Sequence, residues 1–267
     1  MRDARNTNSF FEVPTVRQPT SAGDVDLPIR YRDASAITLF HRVGEANARP
    51  ALEARGLVPL SDRKGRAGVA ITWFEYRGTS VGQYNELSVA VLAKHPRATG
   101  RVSLRDLSSP HGLAGACVLH LPVTTEVANA AGREIWGYPK IVADMPIELR
   151  GDRMRASLGH EGRTVLTTEV PLRGGLPLPM PDLSTWTVLD GRLIRTTIRT
   201  RCRVTATRGR GARTTVEAPD HPIGQTLGQL GVHGEPDAIL WTHRFQSLLP
   251  FGVPVADVPP RDPAGRP

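Results

Sequence analysis

The chain has 267 residues, of which 39% are hydrophobic and 22% charged, with a formal net charge of +8. Its mean hydropathy is −0.25, and its apolar runs are far shorter than the roughly 18 to 20 residues of a membrane-spanning helix, which excludes a membrane protein of that kind. The two cysteines lie too far apart for a disulfide framework or a zinc knuckle. The N-terminal sequence lacks the apolar core and cleavage site of a signal peptide, so we expect a cytoplasmic protein with no membrane partner.

The composition along the chain predicts one folded domain between two irregular ends. Residues 1–25 are polar, contain prolines and lack periodicity, which predicts a flexible N-terminal arm or an extension that contacts a partner. Residues 26–250 form the predicted single domain. The Pro-rich residues 251–267 form a predicted loose tail.

The first half of the domain is predicted to consist mostly of strands. A short helix is expected at residues 46–56, ending at Gly56. Strand-like runs then predict strands at residues 68–76 and 84–93. A short apolar run of strand length predicts another strand at residues 114–123.

The pattern becomes helical at residues 124–136, where a threonine can cap the helix and apolar residues return at helical spacing. Pro139 cannot continue this helix. Lys140 is therefore expected just past the helix end, where the chain is predicted to turn into a strand at residues 141–149.

The second half of the domain is again predicted to be strand-rich. We expect a hairpin that turns at residues 160–163, an irregular Pro/Gly-rich connection at 173–184, a second long hairpin that turns at 209–213, and a last strand at 238–245. Together these elements predict an α+β fold of mostly antiparallel strands with two or three helices.

The basic charge invites a nucleic-acid function, but its distribution argues against one. The densest basic stretch, residues 192–215, mostly alternates arginine with threonine or an apolar residue, as a strand with one solvated face does. The other arginines are scattered, and aromatic residues make up only 5% of the chain, which leaves few platforms for base stacking. We therefore predict no nucleic-acid partner.

Lys140 is unusual for this chain. Of the 34 basic residues only three are lysines, namely Lys64, Lys94 and Lys140, and Lys140 has mostly apolar neighbours. Burial disfavours a charged ammonium, and a neutral amine can form a Schiff base with a ketone. An arginine side chain stays charged and cannot do this. The alternative is that Lys140 lays its stem on apolar surface and keeps its head in water, whereas Lys64 and Lys94 are predicted to be solvated loop lysines.

The run GREIWGYPK, from Gly132 to Lys140, resembles the active-site segment of the acetoacetate decarboxylase superfamily, which ends in a Schiff-base lysine. The match has no gap. The resemblance implies a cone-like closed β-barrel with flanking helices, assembled as a homo-oligomer. It also implies chemistry that needs no metal and no organic cofactor.

The resemblance extends to residues upstream of this run. A Y-x-E motif in the family matches YNE here and implies that Glu86 is catalytic together with Lys140. The resemblance also implies an arginine that binds the substrate carboxylate, which would be Arg32 (or Arg30). The other predicted substrate-binding residues are Glu75, Tyr84 and Trp136. For Glu75 and Glu86 the alternative is an exposed position on a strand.

One position departs from the founding decarboxylase of the family, in which a second lysine directly follows the Schiff-base lysine. Ile141 stands there in this chain, so desolvation alone would have to favour the neutral amine. We predict a Schiff-base enzyme acting on a keto acid, first a β-keto acid decarboxylase. The alternatives are aldolase, dehydratase or cyclase chemistry on an α-keto acid with the same lysine, and a non-catalytic binding protein with the same fold.

Overall fold

The computed structural model describes residues 9–98, 102, 104–109 and 112–257. Within this part of the chain three α-helices lie at Glu45–Glu53 (α1), Glu126–Trp136 (α2) and Pro222–Leu230 (α3). The strands in chain order are β1 (Val16–Gln18), β2 (Val25–Leu27), β3 (Ile29–Gly44), β4 (Val58–Pro59), β5 (Arg66–Thr79), β6 (Tyr84–Lys94), β7 (Ala114–His120), β8 (Ile147–Arg150), β9 (Arg153–His160), β10 (Arg163–Pro171), β11 (Leu176–Pro179), β12 (Leu183–Leu189), β13 (Arg192–Thr200), β14 (Arg203–Arg208), β15 (Arg213–Val216), β16 (Ala238–Thr242), β17 (Ser247–Leu249) and β18 (Val253–Asp257).

Seven strands close into a barrel, with further strands outside it. Around the ring the strands pair in the order β3, β17, β13, β12, β7, β6 and β5, and β5 pairs with β3 to close it. The pairing of β7 with β12 is parallel, and the other pairings in the ring are antiparallel. The predicted α+β fold, a mostly antiparallel closed barrel with flanking helices, is confirmed.

A second sheet covers one face of the barrel wall. Its strands run antiparallel in the order β15, β10, β9, β8. Met154 and Leu158 of this sheet share an apolar cluster with Ile71 and Trp73 of β5, so burial of apolar surface holds the two sheets together. The opposite face of β5 belongs to a different cluster, which contains Tyr76.

The predicted strands at residues 68–76, 84–93 and 114–123 correspond to β5, β6 and β7. The predicted hairpin at 160–163 is also present, because β9 and β10 pair across a turn in which Glu161 and Gly162 both have positive φ, the conformation of a tight two-residue turn.

The longest strand, β3 with 16 residues, was missed. Its sequence does not alternate cleanly between polar and apolar residues, because the ladder shifts register near Asp33. A shift of one residue moves the following side chains to the other face of a strand. The simple period of two is therefore lost at this point.

Three further expectations were wrong. Residues 209–213 do not close a hairpin, since β14 pairs with β11 and β16 while β15 pairs with β10. The connection at 173–184 contains β11. The strand expected at 141–149 is regular only from Ile147, and residues 141–146 make isolated bridges instead.

Both predicted domain limits fall next to regular structure. Residue 25 lies inside a small ribbon in which β1 pairs with β2, because Val25 and Leu27 are buried and draw the preceding segment onto the domain. Residue 251 precedes β18, which pairs with β13. Residues 1–8 and 258–267 lie outside the described residues. No helix in the described part of the chain is long and apolar enough to cross a membrane.

Candidate active site

The turn at the end of α2 directs Lys140 toward the apolar cluster that contains Tyr76. Thr125 caps the start of the helix, and Gly137 ends it with φ +68°, where a side chain would collide with the carbonyl oxygen of Val188. The Tyr138 amide then donates to the Gly132 carbonyl over 3.0 Å. This tight turn lets the chain reverse within three residues of Lys140.

The segment that carries Lys140 lies against the chain just after β7. The Leu121 amide donates to the Pro139 carbonyl over 3.1 Å, and the Val123 amide donates to the Ile141 carbonyl over 2.9 Å. Pro139 and Ile141 line a cleft of about 280 Å³ together with His120, whereas Lys140 lines a separate cavity. The segment therefore separates the lysine from its two sequence neighbours.

Lys140 is buried and ion-paired. Only 6% of the residue is exposed, and its Nζ donates to Glu86 Oε2 over 2.7 Å. The same Nζ lies 5.7 Å from the centre of the Tyr84 ring. The alternative that Lys140 extends its head into water is wrong.

Gly132 makes room for the lysine stem. A Cβ atom at this helical position would lie 2.3 Å from Lys140 Cε and 2.4 Å from Cδ, well inside van der Waals contact. The first glycine of the GREIWGYPK run therefore has a steric role, which is to let the aliphatic part of Lys140 pass against α2.

Glu86 lies near the start of β6 and is likewise 6% exposed. Its second oxygen, Oε1, accepts a hydrogen bond from the Tyr76 hydroxyl over 3.3 Å. Both carboxylate oxygens thus have a donor. The alternative of an exposed strand position is wrong for Glu86, and the structure brings Lys140 and Glu86 together.

All four tyrosines of the chain gather around this pair: Tyr31, Tyr76, Tyr84 and Tyr138. The rings of Tyr31 and Tyr84 each lie less than 5 Å from that of Tyr76, at 4.6 and 4.7 Å between centres. The Tyr31 and Tyr84 hydroxyls form a hydrogen bond of 3.1 Å, and the Tyr138 hydroxyl is 2.7 Å from Thr185 Oγ1.

The tyrosine hydroxyls stay protonated at neutral pH. Burial, as the main cause, raises the pKa of each of the four hydroxyls well above its usual range, and the negative charge of Glu86 raises each pKa further. The groups around the ion pair therefore act as neutral hydrogen-bonding groups and not as anions.

The cavity at Lys140 is small and mostly apolar. Its free volume is about 10 Å³, near the minimum that holds one water molecule. Its apolar wall includes Ile29, Val81, Leu249 and Trp136, and the Trp136 indole donates to the Pro250 carbonyl over 2.8 Å. Of the predicted substrate contacts, Trp136 and Tyr84 do line this cavity.

Glu75 does not reach the cavity. β5 pairs with β6 so that Phe74 lies opposite Glu86 and Glu75 lies opposite Asn85. Successive side chains on a strand point to opposite faces, so Glu75 faces away from Lys140. Its carboxylate instead accepts from Arg77 Nη1 over 2.5 Å.

Neither Arg32 nor Arg30, the candidates predicted to bind the substrate carboxylate, reaches the cavity. Ile29 and Tyr31 of β3 face the cavity, so the alternating Arg30 and Arg32 face away from it. Arg30 donates to the carbonyls of Phe11 and Val13 over 3.1 and 2.9 Å. The exposed Arg32 lies over the Phe11 ring, with its guanidinium carbon 5.5 Å from the ring centre.

Tyr31, Tyr76 and Tyr138 are site residues that were not predicted from the sequence. One signal could have found them, since tyrosine occurs only four times in 267 residues and each of these residues is next to or within two positions of a predicted site residue. The described residues contain no group of three or more histidine, cysteine or acidic side chains placed to hold a metal ion.

The fold and the site together define a β-barrel protein that buries a lysine–glutamate pair among tyrosines. The sequence model of one protein family, acetoacetate decarboxylase (ADC), matches residues 13–253. The chain therefore belongs to the acetoacetate decarboxylase family. A comparison with curated proteins gives no match.

Several solved structures share the fold. An acetoacetate decarboxylase from Legionella pneumophila is 16% identical with a TM-score of 0.63, and the alignment covers 94% of this chain and 95% of that one. The enduracididine biosynthesis enzyme MppR, solved in complex with pyruvate, is 16% identical with a TM-score of 0.61 over 86% and 91% of the two chains. An acetoacetate decarboxylase-like enzyme from Sphingomonas wittichii RW1 is 15% identical with a TM-score of 0.61 over 88% and 95%.

Proposed function

We propose that the chain is a Schiff-base-forming enzyme in which Lys140 attacks the carbonyl carbon of its substrate. The observation that carries this proposal is the 2.7 Å contact between Lys140 Nζ and the Glu86 carboxylate in a cavity with a free volume of about 10 Å³. A carboxylate at this distance can take the ammonium proton that has to leave before the nitrogen becomes a nucleophile.

The proposed reaction begins with transfer of one proton from Lys140 to Glu86. The nitrogen lone pair then forms a bond to the carbonyl carbon while one nitrogen proton moves to the carbonyl oxygen. Protonated Glu86 returns its proton to the hydroxyl of this carbinolamine, which leaves as water, so that a protonated imine and the Glu86 carboxylate remain. The imine takes the place of the ammonium as the cation beside Glu86, so the buried charge stays balanced throughout. The Tyr76 hydroxyl positions Glu86 by donating to its other oxygen.

The protonated imine can lead to the two reactions expected from the sequence. In a β-keto acid it accepts the electron pair of the breaking bond to the carboxylate, so that carbon dioxide leaves and an enamine remains. In an α-keto acid it acidifies the neighbouring carbon for aldol, dehydration or ring-closing steps. The second possibility is supported by a structure of MppR in complex with the condensation product of pyruvate and imidazole 4-carboxaldehyde.

Ile141 has less influence on this chemistry than its place beside Lys140 suggests. It lines the cleft on the other side of the segment and not the lysine cavity. We infer that the loss of a second lysine at position 141 leaves the Lys140–Glu86 proton transfer in place.

Trapping with sodium borohydride tests the proposal. The protein is incubated with a panel of carbonyl compounds, reduced, digested and examined by mass spectrometry, and we expect a stable adduct on Lys140. The variant Lys140→Arg should lose the adduct, whereas the exposed Lys64→Arg should retain it as a matched control. An adduct that persists in Lys140→Arg would show that Lys140 is not the reacting residue. No adduct with any compound would sink the Schiff-base mechanism and leave a non-catalytic binding protein.

A further inference from the structure

A larger cleft, of about 660 Å³, lies apart from the lysine cavity. No described residue lines both. The strand β3 lies between them, since Tyr31 lines the cavity and the next residue, Arg32, lines the cleft. Its volume is within the range of small-molecule sites, roughly 300 to 1,000 Å³. The cleft is therefore a candidate for a second binding site, separate from the proposed chemistry at Lys140.

The cleft is strongly basic. Four of its lining residues are arginines: Arg32, Arg201, Arg203 and Arg244. Among the described residues that line it, Asp33 provides the one carboxylate. This carboxylate already accepts from Arg77, with Nη2 at 2.8 Å from Oδ1 and Nε at 3.1 Å from Oδ2. Like charges gathered in a concave surface raise the local positive potential and attract anions.

Neutral groups hold these arginines in position. Arg201 donates from Nε and Nη2 to Gln246 Oε1, over 3.0 and 2.8 Å. Gln246 in turn donates from Nε2 to the Arg32 carbonyl over 2.9 Å, which ties two arginine-bearing segments together. Arg203 Nη2 donates to the Pro177 carbonyl over 3.0 Å. Such contacts orient a guanidinium but do not cancel its charge, because amide and carbonyl oxygens are uncharged.

Arginines elsewhere in the chain have charged partners. Arg42, for example, contacts the Asp237 carboxylate. Within the described part of the chain, Arg32, Arg203 and Arg244 contact no carboxylate. Three positive charges of the cleft are therefore left for a ligand or for salt ions to match.

We propose that this cleft binds a small molecule that carries a diphosphate group, such as a nucleoside diphosphate. The planar fork of a guanidinium matches two phosphate oxygens at once. A diphosphate spreads several negative charges over two phosphorus centres, so arginines from different strands can each contact it, whereas a single carboxylate would match one of them.

The cleft also has a surface for the organic part of such a ligand. Trp241 lines it and is half-buried, and its ring centre lies 5.3 Å from that of His243, which lines the cleft as well. Aromatic side chains give apolar contact area next to the polar groups that fix a ligand's charge. This binding site does not depend on the Schiff-base function proposed for Lys140.

Titration calorimetry of the full chain tests the ligand class, with inorganic pyrophosphate, adenosine diphosphate and adenosine as probes. The first two should bind and adenosine should not, because the phosphates supply the charge. Raising the salt from about 0.05 M to about 0.3 M should weaken binding by roughly tenfold. No binding of either phosphate compound, or equal binding of adenosine and adenosine diphosphate, would overturn the proposal.

Charge-removing variants locate the binding. Arg203→Gln and Arg244→Gln should each weaken pyrophosphate binding by roughly tenfold, since each removes a charged donor. Arg153→Gln is the matched control, because Arg153 is exposed on β9 in the other sheet and its loss changes the net charge equally. Its affinity should stay within about twofold of the unmodified protein. Equal weakening in all three variants would mean a diffuse attraction to the basic chain, and the proposal would fail.

A variant of opposite sign completes the test. Asp33→Asn removes the carboxylate that lines the cleft and should strengthen pyrophosphate binding severalfold. Unchanged or weaker binding would contradict the proposal. The alternative occupant is a second copy of the chain. A change in the sedimentation of Arg203→Gln, with its affinity for pyrophosphate unchanged, would show that the cleft is a contact between copies and would overturn the proposal.

Discussion

Glu86 and Glu75 lie on paired strands one register position apart, yet they belong to different environments. Glu86 is buried and contacts Lys140, while Glu75 is partly exposed and contacts Arg77 within a network that also includes Asp33. The comparison shows that the alternation of side chains along β5 and β6 decides which carboxylate can take part in chemistry. Residue type and closeness in sequence do not distinguish the two.

The two ion pairs also differ in what water does to them. The charges of Lys140 and Glu86 have been removed from solvent, so each depends on the other for compensation. Arg77, Glu75 and Asp33 keep contact with water, which weakens their attraction and makes each charge tolerable by itself. Breaking the inner pair should therefore have a far larger effect than breaking the outer network.

The largest effect is expected for Lys140→Ala, which leaves the Glu86 charge buried without its partner. The free energy of unfolding should fall by about 3 to 5 kcal/mol, and carbonyl trapping should disappear. Urea unfolding at neutral pH measures the first and mass spectrometry the second. The double variant Lys140→Met/Glu86→Gln removes both charges and should recover most of the stability without trapping. A double variant as unstable as the single one would show that lost packing, and not the unmatched charge, causes the destabilisation.

The next effect concerns the stem of the same lysine. Gly132→Ala places a methyl group 2.3 Å from Lys140 Cε, so the lysine has to move away from Glu86. We expect a loss of about 1 to 3 kcal/mol in the free energy of unfolding and trapping slower by at least roughly tenfold.

Gly228→Ala is the matched control for this substitution, because it is also a glycine inside a helix but a Cβ there meets nothing within 4 Å. It should stabilise the protein by up to about 1 kcal/mol through helix propensity and leave trapping unchanged. Equal effects of the two substitutions on trapping would contradict the steric role of Gly132.

The Lys140–Glu86 pair could be predicted from the sequence. The positions of Glu75 and Arg32 could not. Lys140 was identified by its rarity and its motif, and Glu86 by the local YNE pattern, which are features that do not require a strand register. Glu75 and Arg32 required the facing of β5 and β3 to be known. The register shift near Asp33 in β3 hides that facing, and as a result Arg32 was predicted where Tyr31 lies.

The fold shows the same limit. α2 and the paired strands β5 and β6 carry their signals locally, in a cap, a helical spacing and runs of β-branched residues. β3 is long and pairs with β5, β16 and β17. Its side chains therefore pack against several strands, and its alternation of polar and apolar residues is irregular. The second hairpin failed for a related reason, because the partners of β14 and β15 are strands distant in sequence.

The smallest effect is expected for the outer network, where Arg77→Ala removes the partner of both Glu75 and Asp33. The free energy of unfolding should fall by less than about 1 kcal/mol, and trapping on Lys140 should stay within about twofold of the unmodified protein.

The hydrogen bond from Arg77 lowers the pKa of Asp33. The stabilisation by the Arg77–Asp33 contact is therefore fully present above the pKa that Asp33 has in the unfolded chain. It is lost as pH falls below about 4, where Asp33 becomes protonated. Urea unfolding of Arg77→Ala and the unmodified protein at pH 7 and pH 3, with and without about 0.5 M salt, should show a difference that shrinks in acid and in salt. A loss as large as that of Lys140→Ala, or one that salt does not reduce, would mean that water does not weaken the outer pair, and the contrast between the two carboxylates would fail.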